Sequence, residues 1–219
     1  MSENLILDYC SKDDLKAVAV CHREAFPDSF STKLGQAYLI KNYEWYLISN
    51  RNFLIKASID GKVVGFVGGM LFDKSSTMGS TSSVMQYTFK QALVGLMIHP
   101  WLIFNIEVRK NIVLIARNIA RKVGLSRKPK STNAVLSNPI EVVPSLGLVV
   151  IGNAPRYRGK GVGTKLLERF EEEAKKLEVN QMHLSVRKKN VNAIKAYTRM
   201  GWSVKKEAGD NLEMIKVLK

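Results

Sequence analysis

Apolar and polar positions recur along the chain with two different periods. Leu5-Ile6-Leu7-Asp8-Tyr9 is a short strand candidate. From about Asp14 to Ala25 the period becomes helical, with Leu15, Val18, Ala19 and His22 on one face, Ser11 or Asp13 as the cap and Pro27 as the stop. A second helix is predicted from about Ser31, as its N-cap, to Ile48. Tyr38, Tyr43, Trp45 and Tyr46 make it unusually aromatic, and these rings are read mainly as core. Phe53–Ile59 and Val63–Leu71 read as strands joined by Asp60-Gly61, a dipeptide that favours a tight hairpin. Val84–Ile98 reads as a helix broken at Pro100, and Leu102–Val123 as another that stops at Gly124. The apolar run Leu146–Ile151 is a strand, Lys165–Leu177 a charged periodic helix and Gln181–Val186 a further strand. Ser203–Lys206 and Leu212–Val217 close the chain as two strands around Ala208-Gly209-Asp210.

Between the strand at 146–151 and its helix lies Arg158-Gly159-Lys160-Gly161-Val162-Gly163-Thr164. Glycines at a helix start are one way to bind phosphate. The first-turn N–H groups have no intrahelical partners, and the helix dipole adds positive potential there. Arg158 and Lys160 add mobile positive charge, and Thr164 can donate a hydroxyl hydrogen bond. The nucleotide triphosphate loop requires a Lys between its last glycine and the Ser/Thr, and none precedes Thr164. The dinucleotide fingerprint requires Gly-x-Gly-x-x-Gly, whereas glycines 159, 161 and 163 are spaced two and two.

What fits is Arg-x-x-Gly-x-Gly, at Arg158, Gly161 and Gly163. This resembles the pyrophosphate-binding motif of the GNAT superfamily of N-acetyltransferases. Asn190, Ala193, Tyr197, Gly201 and Trp202 follow in the family's Asn-x-x-Ala-x-x-x-Tyr-x-x-x-Gly-Phe pattern, with Trp202 in place of Phe. The Gly-Lys-Val-Val-Gly-Phe return of the hairpin at 61–66 is also similar to the family. The resemblance implies an α/β fold: a mixed, mostly antiparallel twisted sheet flanked by helices. It implies a single domain over residues 1–219 with a helical insertion after the third strand. It also implies acetyl-coenzyme A as cosubstrate. Backbone groups at Ile151 to Asn153, where the family more often has Val at 153, would hold the carbonyl and pantetheine. Gly159, Lys160, Gly161, Val162, Gly163 and neighbours would hold the pyrophosphate, and Asn190 would contact the coenzyme. Tyr197 matches the family tyrosine that acts as general acid toward the departing thiolate. A tyrosine with its ordinary pKa of about 10 is protonated at pH 7 and able to donate. No general base stands out; Glu24, Asp28, Glu141 and a water chain are all open. The two helices at the start would form one wall of the acceptor site.

Composition changes this picture at one place. The net charge is +15, and from Asp73 to Asn138 there are ten Lys/Arg against two Asp/Glu, a net +8. The insertion, about 73–138, is therefore read as a cap over the acceptor site, as a basic amphipathic surface resting on anionic lipid, or as a helical hairpin packed on the domain or on a second subunit of a homodimer. Nucleic acid ranks last, because no recognised nucleic-acid motif accompanies the charge. Cys10 and Cys21 form neither a zinc pattern nor a disulfide framework, so a reducing, cytoplasmic setting is expected, and no metal site is. The N-terminus reads as having no signal peptide, and Ala92–Phe104 is too short to span a bilayer.

The reaction implied is acetyl transfer to a primary amine. Segment 26–35, Phe-Pro-x-Ser-Phe-x-x-x-Leu-Gly, precedes an aromatic helix and the basic insertion. That arrangement resembles family members linked to bacterial surface-polysaccharide synthesis, which implies an amino-sugar acceptor, nucleotide- or lipid-linked. A small-amine or protein-amine acetyltransferase and a non-catalytic acyl-coenzyme-A sensor are the alternatives.

Overall fold

The computed structural model describes residues 4–73, 81–104 and 143–218. Seven strands form one sheet in the order β1-β2-β3-β4-β5-β7-β6. They are β1 (Leu5–Tyr9), β2 (Asn52–Ile59), β3 (Lys62–Phe72), β4 (Ser145–Asn153), β5 (Gln181–Arg187), β6 (Ser203–Ala208) and β7 (Asn211–Val217). Every neighbouring pair is antiparallel except β4 and β5. This is the mixed, mostly antiparallel sheet that the resemblance implied. The β2–β3 hairpin turns through Asp60 (φ 49°) and Gly61 (φ 74°), with Ile59 paired to Lys62. Two consecutive positive φ angles match the strand twist in a two-residue turn, which explains the Asp-Gly pair there.

Helices cover both faces, and the side chains of β3 divide between them. Val64 and Val67 join a cluster with Leu166, Leu167 and Phe170 of α5 (Val162–Lys176) and with Tyr197 of α6 (Val191–Arg199). Phe66 and Met70 join the opposite cluster, with Val18 and Cys21 of α1 (Leu15–Ala25) and with Tyr43, Trp45 and Tyr46. Most of the early aromatics are thus core. Four strand glycines let aromatic rings settle onto the sheet, and a fifth, Gly65, does the same for aliphatic side chains. A Cβ at Gly69 would lie 2.4 Å from the Phe53 ring, one at Gly68 2.8 Å from Tyr46, and one at Gly147 2.5 Å from Phe72. At Gly152 it would lie 2.7 Å from Phe26, and at Gly65 3.0 Å from Leu166 and Val162.

The expected helix from Ser31 to Ile48 is broken in two. A single turn, α2 (Phe30–Lys33), is capped by Ser29, whose hydroxyl accepts from the Thr32 N–H. Gly35 then turns at φ 98° before α3 (Gln36–Glu44) and a 3₁₀ turn over Trp45–Leu47. The cap is Ser29 rather than Ser31 because Ser29 holds the extended backbone of a cap, while the Ser31 hydroxyl lies 3.0 Å from His22 Nε2. Only glycine accommodates the positive φ at 35 cheaply, and that residue ends the first helical segment.

Helix α4 (Thr81–Ile98) begins the insertion and packs on α3, with the Lys41 ammonium 4.4 Å above the Tyr87 ring. Pro100 opens a 3₁₀ turn, Pro100–Phe104. The rest of the expected helix to Val123, the basic loop at 127–130 and Glu141 lie outside the described residues. No described helix is long and apolar enough to cross a membrane.

Candidate active site

Strands β4 and β5 are parallel neighbours, but only Leu146–Leu148 pairs with Met182–Leu184. Beyond Leu148, β4 keeps its pairing with β3 through Asn153↔Gly65, while β5 stays with β7 through Arg187↔Asn211. The two strands part. The β3–β4 register shifts between Gly68 and Gly69, so Val149 stands as the extra residue where β5 departs. A bulge bends and twists a strand, which suits it to open a seam. Ile151 and Asn153 lie on the parted stretch, both half-buried. Asn153 does not distort the strand, since its pairing with Gly65 is regular; the irregularity lies at Val149.

Both parallel strands end at the same side of the sheet, and their following loops meet the seam there. After β4, a 3₁₀ turn over Pro155–Tyr157 leads to Arg158, Gly159 and Lys160, then to Gly161, the N-cap of α5. Gly161 adopts φ 86° and no side chain caps the first turn, made by Val162, Gly163 and Thr164. Gly159, Gly161 and Gly163 all face open space: a Cβ on any of them would meet nothing within 4 Å. Open space above an uncapped helix start is what a pyrophosphate needs, so these residues fit coenzyme A. Val162 is buried beneath the loop, while Thr164 is exposed.

Arg158 differs from expectation. Its guanidinium is held rather than mobile, donating from Nη2 to the Ala25 carbonyl at 2.8 Å. It therefore caps the end of α1 and ties the glycine loop to the segment that leads into α2. The Lys160 ammonium lies 5.3 Å from the Tyr157 ring centroid, and the residue is exposed.

After β5, Asn190 caps α6, its Oδ1 accepting from the Ala193 N–H at 3.3 Å. Asn190 itself is exposed. Tyr197 lies two turns along the same helix, buried in the cluster that holds Val162 and, at its margin, Ile151. Its ring is 6.0 Å from that of Trp202. Burial pushes the Tyr197 hydroxyl up to about 12, so it stays protonated across the neutral range.

Sequence reasoning missed the group around His22. The ring is buried, with Nδ1 2.5 Å from the Tyr43 hydroxyl and Nε2 3.0 Å from the Ser31 hydroxyl. Burial lowers its pKa to about 4, so it is neutral at pH 7. His22 lies 6.0 Å from Phe66 in a stacked arrangement and 5.0 Å from Phe26, the ring that covers Gly152. It thus backs the parted stretch of β4. Glycine at 65, 68, 69, 147 and 152 was the available signal, since glycine inside a strand marks close approach. Of the candidate bases, Glu24 and Asp28 are exposed. Among the described residues no three His, Cys, Asp or Glu gather as a metal-ligand group.

A family model for the acetyltransferase (GNAT) family matches residues 139–202, the stretch that holds β4, the glycine loop, β5 and α6. The match covers that stretch of the chain, which is similar to the family there. No curated protein matches this chain by sequence. Solved structures share its fold. PaiA N-acetyltransferase from Thermoplasma acidophilum, in complex with coenzyme A, aligns at TM-score 0.57 and 14% identity, over 98% of this chain and 99% of that one. The ribosomal-protein-S18-alanine N-acetyltransferase from Escherichia coli aligns at TM-score 0.56 and 14% identity, over 99% and 95%. The aminoglycoside N-acetyltransferase AAC(6')-Iy, in complex with coenzyme A, aligns at TM-score 0.57 and 11% identity, over 95% and 93%.

Proposed function

We propose that this protein is an acetyltransferase that moves the acetyl group of acetyl-coenzyme A onto a primary amine, with an amino sugar, nucleotide- or lipid-linked, as the acceptor class. The observation that carries the coenzyme half is the seam: β4 leaves β5 after Leu148, and the open glycine loop and Asn190 both stand at its mouth. Coenzyme A complexes among structures of the same fold support it. The amino-sugar acceptor rests on the early segment at 26–35 and the basic insertion. Peripheral membrane contact through the insertion fits the lipid-linked form of that acceptor.

The cosubstrate supplies an acetyl thioester. In transfer, the amine nitrogen bonds to the thioester carbonyl carbon, the carbon–sulfur bond breaks, and the amine gives up a proton as the sulfur gains one. Gly161, Val162, Gly163 and Thr164 bind the pyrophosphate through first-turn N–H groups, with Gly159, Arg158 and Lys160 flanking them. Ile151 and Asn153 present backbone groups on the edge that β5 has vacated. Tyr197, held protonated by burial, gives the proton to sulfur.

Calorimetric titration with acetyl-coenzyme A on the wild type and on Gly161→Glu tests this. Binding to the wild type that is lost in the variant is expected, because a carboxylate there would occupy the open space and repel phosphate. A folded wild type that takes up no acetyl-coenzyme A overturns the reading. Binding without acetylation of any amine, across amino sugars, small amines and peptide N-termini, would leave an acyl-coenzyme-A sensor instead.

A further inference from the structure

Helix α4 has one side that no described residue covers. Gly95 faces inward, where a Cβ would lie 2.6 Å from the Leu34 carbonyl, and Thr88 is buried on the same side. Opposite, Lys90, Val94, Met97 and Ile98 follow one another at helical spacing and are exposed, and the stripe continues onto Trp101. Met97 is 73% exposed and Trp101 62%, high values for side chains of this size and polarity. Trp101 is held edge-on to His99, with ring centroids 5.0 Å apart.

We infer that this stripe lies on an anionic bilayer surface, with Met97, Ile98 and Trp101 dipping below the headgroups. Charge complementarity selects that occupant. The chain continues from the stripe into residues 105–130, which carry eight Lys/Arg against one acidic residue, Glu107. An apolar stripe that includes Trp, joined to a basic stretch, is the composition of an element that rests at a membrane interface. Lys/Arg near an anionic leaflet add attraction that apolar burial alone does not supply. Helix α4 is not long and apolar enough to cross a membrane, so the contact inferred for its stripe is a surface one. The inference extends the lipid-linked acceptor reading, but its test needs neither coenzyme nor acceptor.

The tryptophans make the test specific. Trp45 and Trp202 are each 4% exposed, so a change in emission on contact with lipid reports Trp101. The full chain is mixed with phosphatidylcholine–phosphatidylserine vesicles and, separately, with phosphatidylcholine alone, at low and high salt. The expected result is sedimentation with the anionic vesicles at low salt, weakened by salt, with a blue shift of emission that Trp101→Phe abolishes. Met97→Glu, and independently Ile98→Glu, should weaken vesicle partitioning by about tenfold or more while leaving the melting temperature unchanged. Absence of vesicle binding overturns the inference. So does binding with no blue shift, or binding that both glutamate variants leave intact, which would assign the contact to the basic stretch alone. A dimer in sedimentation equilibrium that Met97→Glu dissociates also overturns it, by making the stripe an interface between copies. Loss of coenzyme binding with vesicle binding retained would sink the acetyltransferase reading and leave this surface standing.

Discussion

Two sets of glycines sit within one hundred residues of each other and do opposite things. Those of β3 and β4 are crowded: at 68, 69, 147 and 152 an added Cβ would press within 3 Å of an aromatic ring. Those at 159, 161 and 163 face nothing within 4 Å. The first set exists so that protein can approach the backbone, the second so that something else can. Phe26, Tyr46, Phe53 and Phe72 fill the space that the first set leaves. The empty space at the loop is where a ligand's phosphates fit. A glycine therefore marks a binding site only when its missing side chain leaves a space that the protein does not fill.

Substitutions that respect or violate this contrast should separate turnover from stability. The largest effect is expected at Tyr197, a packed residue read as functional. Tyr197→Phe should lower kcat by about a hundredfold or more, with coenzyme affinity and melting temperature nearly unchanged, as steady-state kinetics and calorimetry would show. A lower melting temperature with kcat intact would return Tyr197 to the packed set.

Next comes acid. His22 is held neutral by burial, with its pKa lowered from 6.5 to about 4. Between those values the unfolded chain binds the extra proton and the folded protein does not, so stability falls as pH drops. The window is worth on the order of 3 kcal/mol. Melting temperatures measured from pH 7 to pH 4 should fall steeply in the wild type and less steeply in His22→Gln. Equal slopes would show that other groups carry the acid sensitivity.

Gly69→Ala should cost about 2 kcal/mol, because its methyl meets Phe53 at 2.4 Å and Phe170 at 2.8 Å. That corresponds to a melting temperature lower by about 4–8 °C. The smallest effect on stability belongs to Gly163→Ala. Its backbone lies outside the left-handed region and its surroundings are open, so the free protein should keep its melting temperature or gain up to about 1 kcal/mol in the helix. Acetyl-coenzyme A affinity should nevertheless fall by about tenfold, because the methyl stands where a phosphate is expected. Unchanged affinity would mean that the loop is merely a turn.

Arg158 shows how far local patterns reach. The motif pointed to a free cation beside phosphate. The structure gives its guanidinium a carbonyl at the end of α1, more than one hundred residues earlier in the chain. Nothing local in Arg158–Thr164 signals that partner. The helix expected from Ser31 to Ile48 failed for a local reason instead. Gly35 and the Ser29 cap were both visible, but the density of apolar residues around them outweighed the breaker.

By itself the sequence determined the period of most elements, the tight hairpin at Asp60-Gly61, the uncapped glycine start of α5 and the order of motifs that marks the family. These follow from backbone preferences and short-range spacing, which neighbours in the chain carry between them. Only the tertiary structure decided where β4 leaves β5, which glycines are filled and which are open, that His22 is buried against Tyr43, and which side of α4 stays bare. Each of those depends on which distant surfaces meet. Packing couples residues far apart in sequence, and neither spacing nor composition records the pairing.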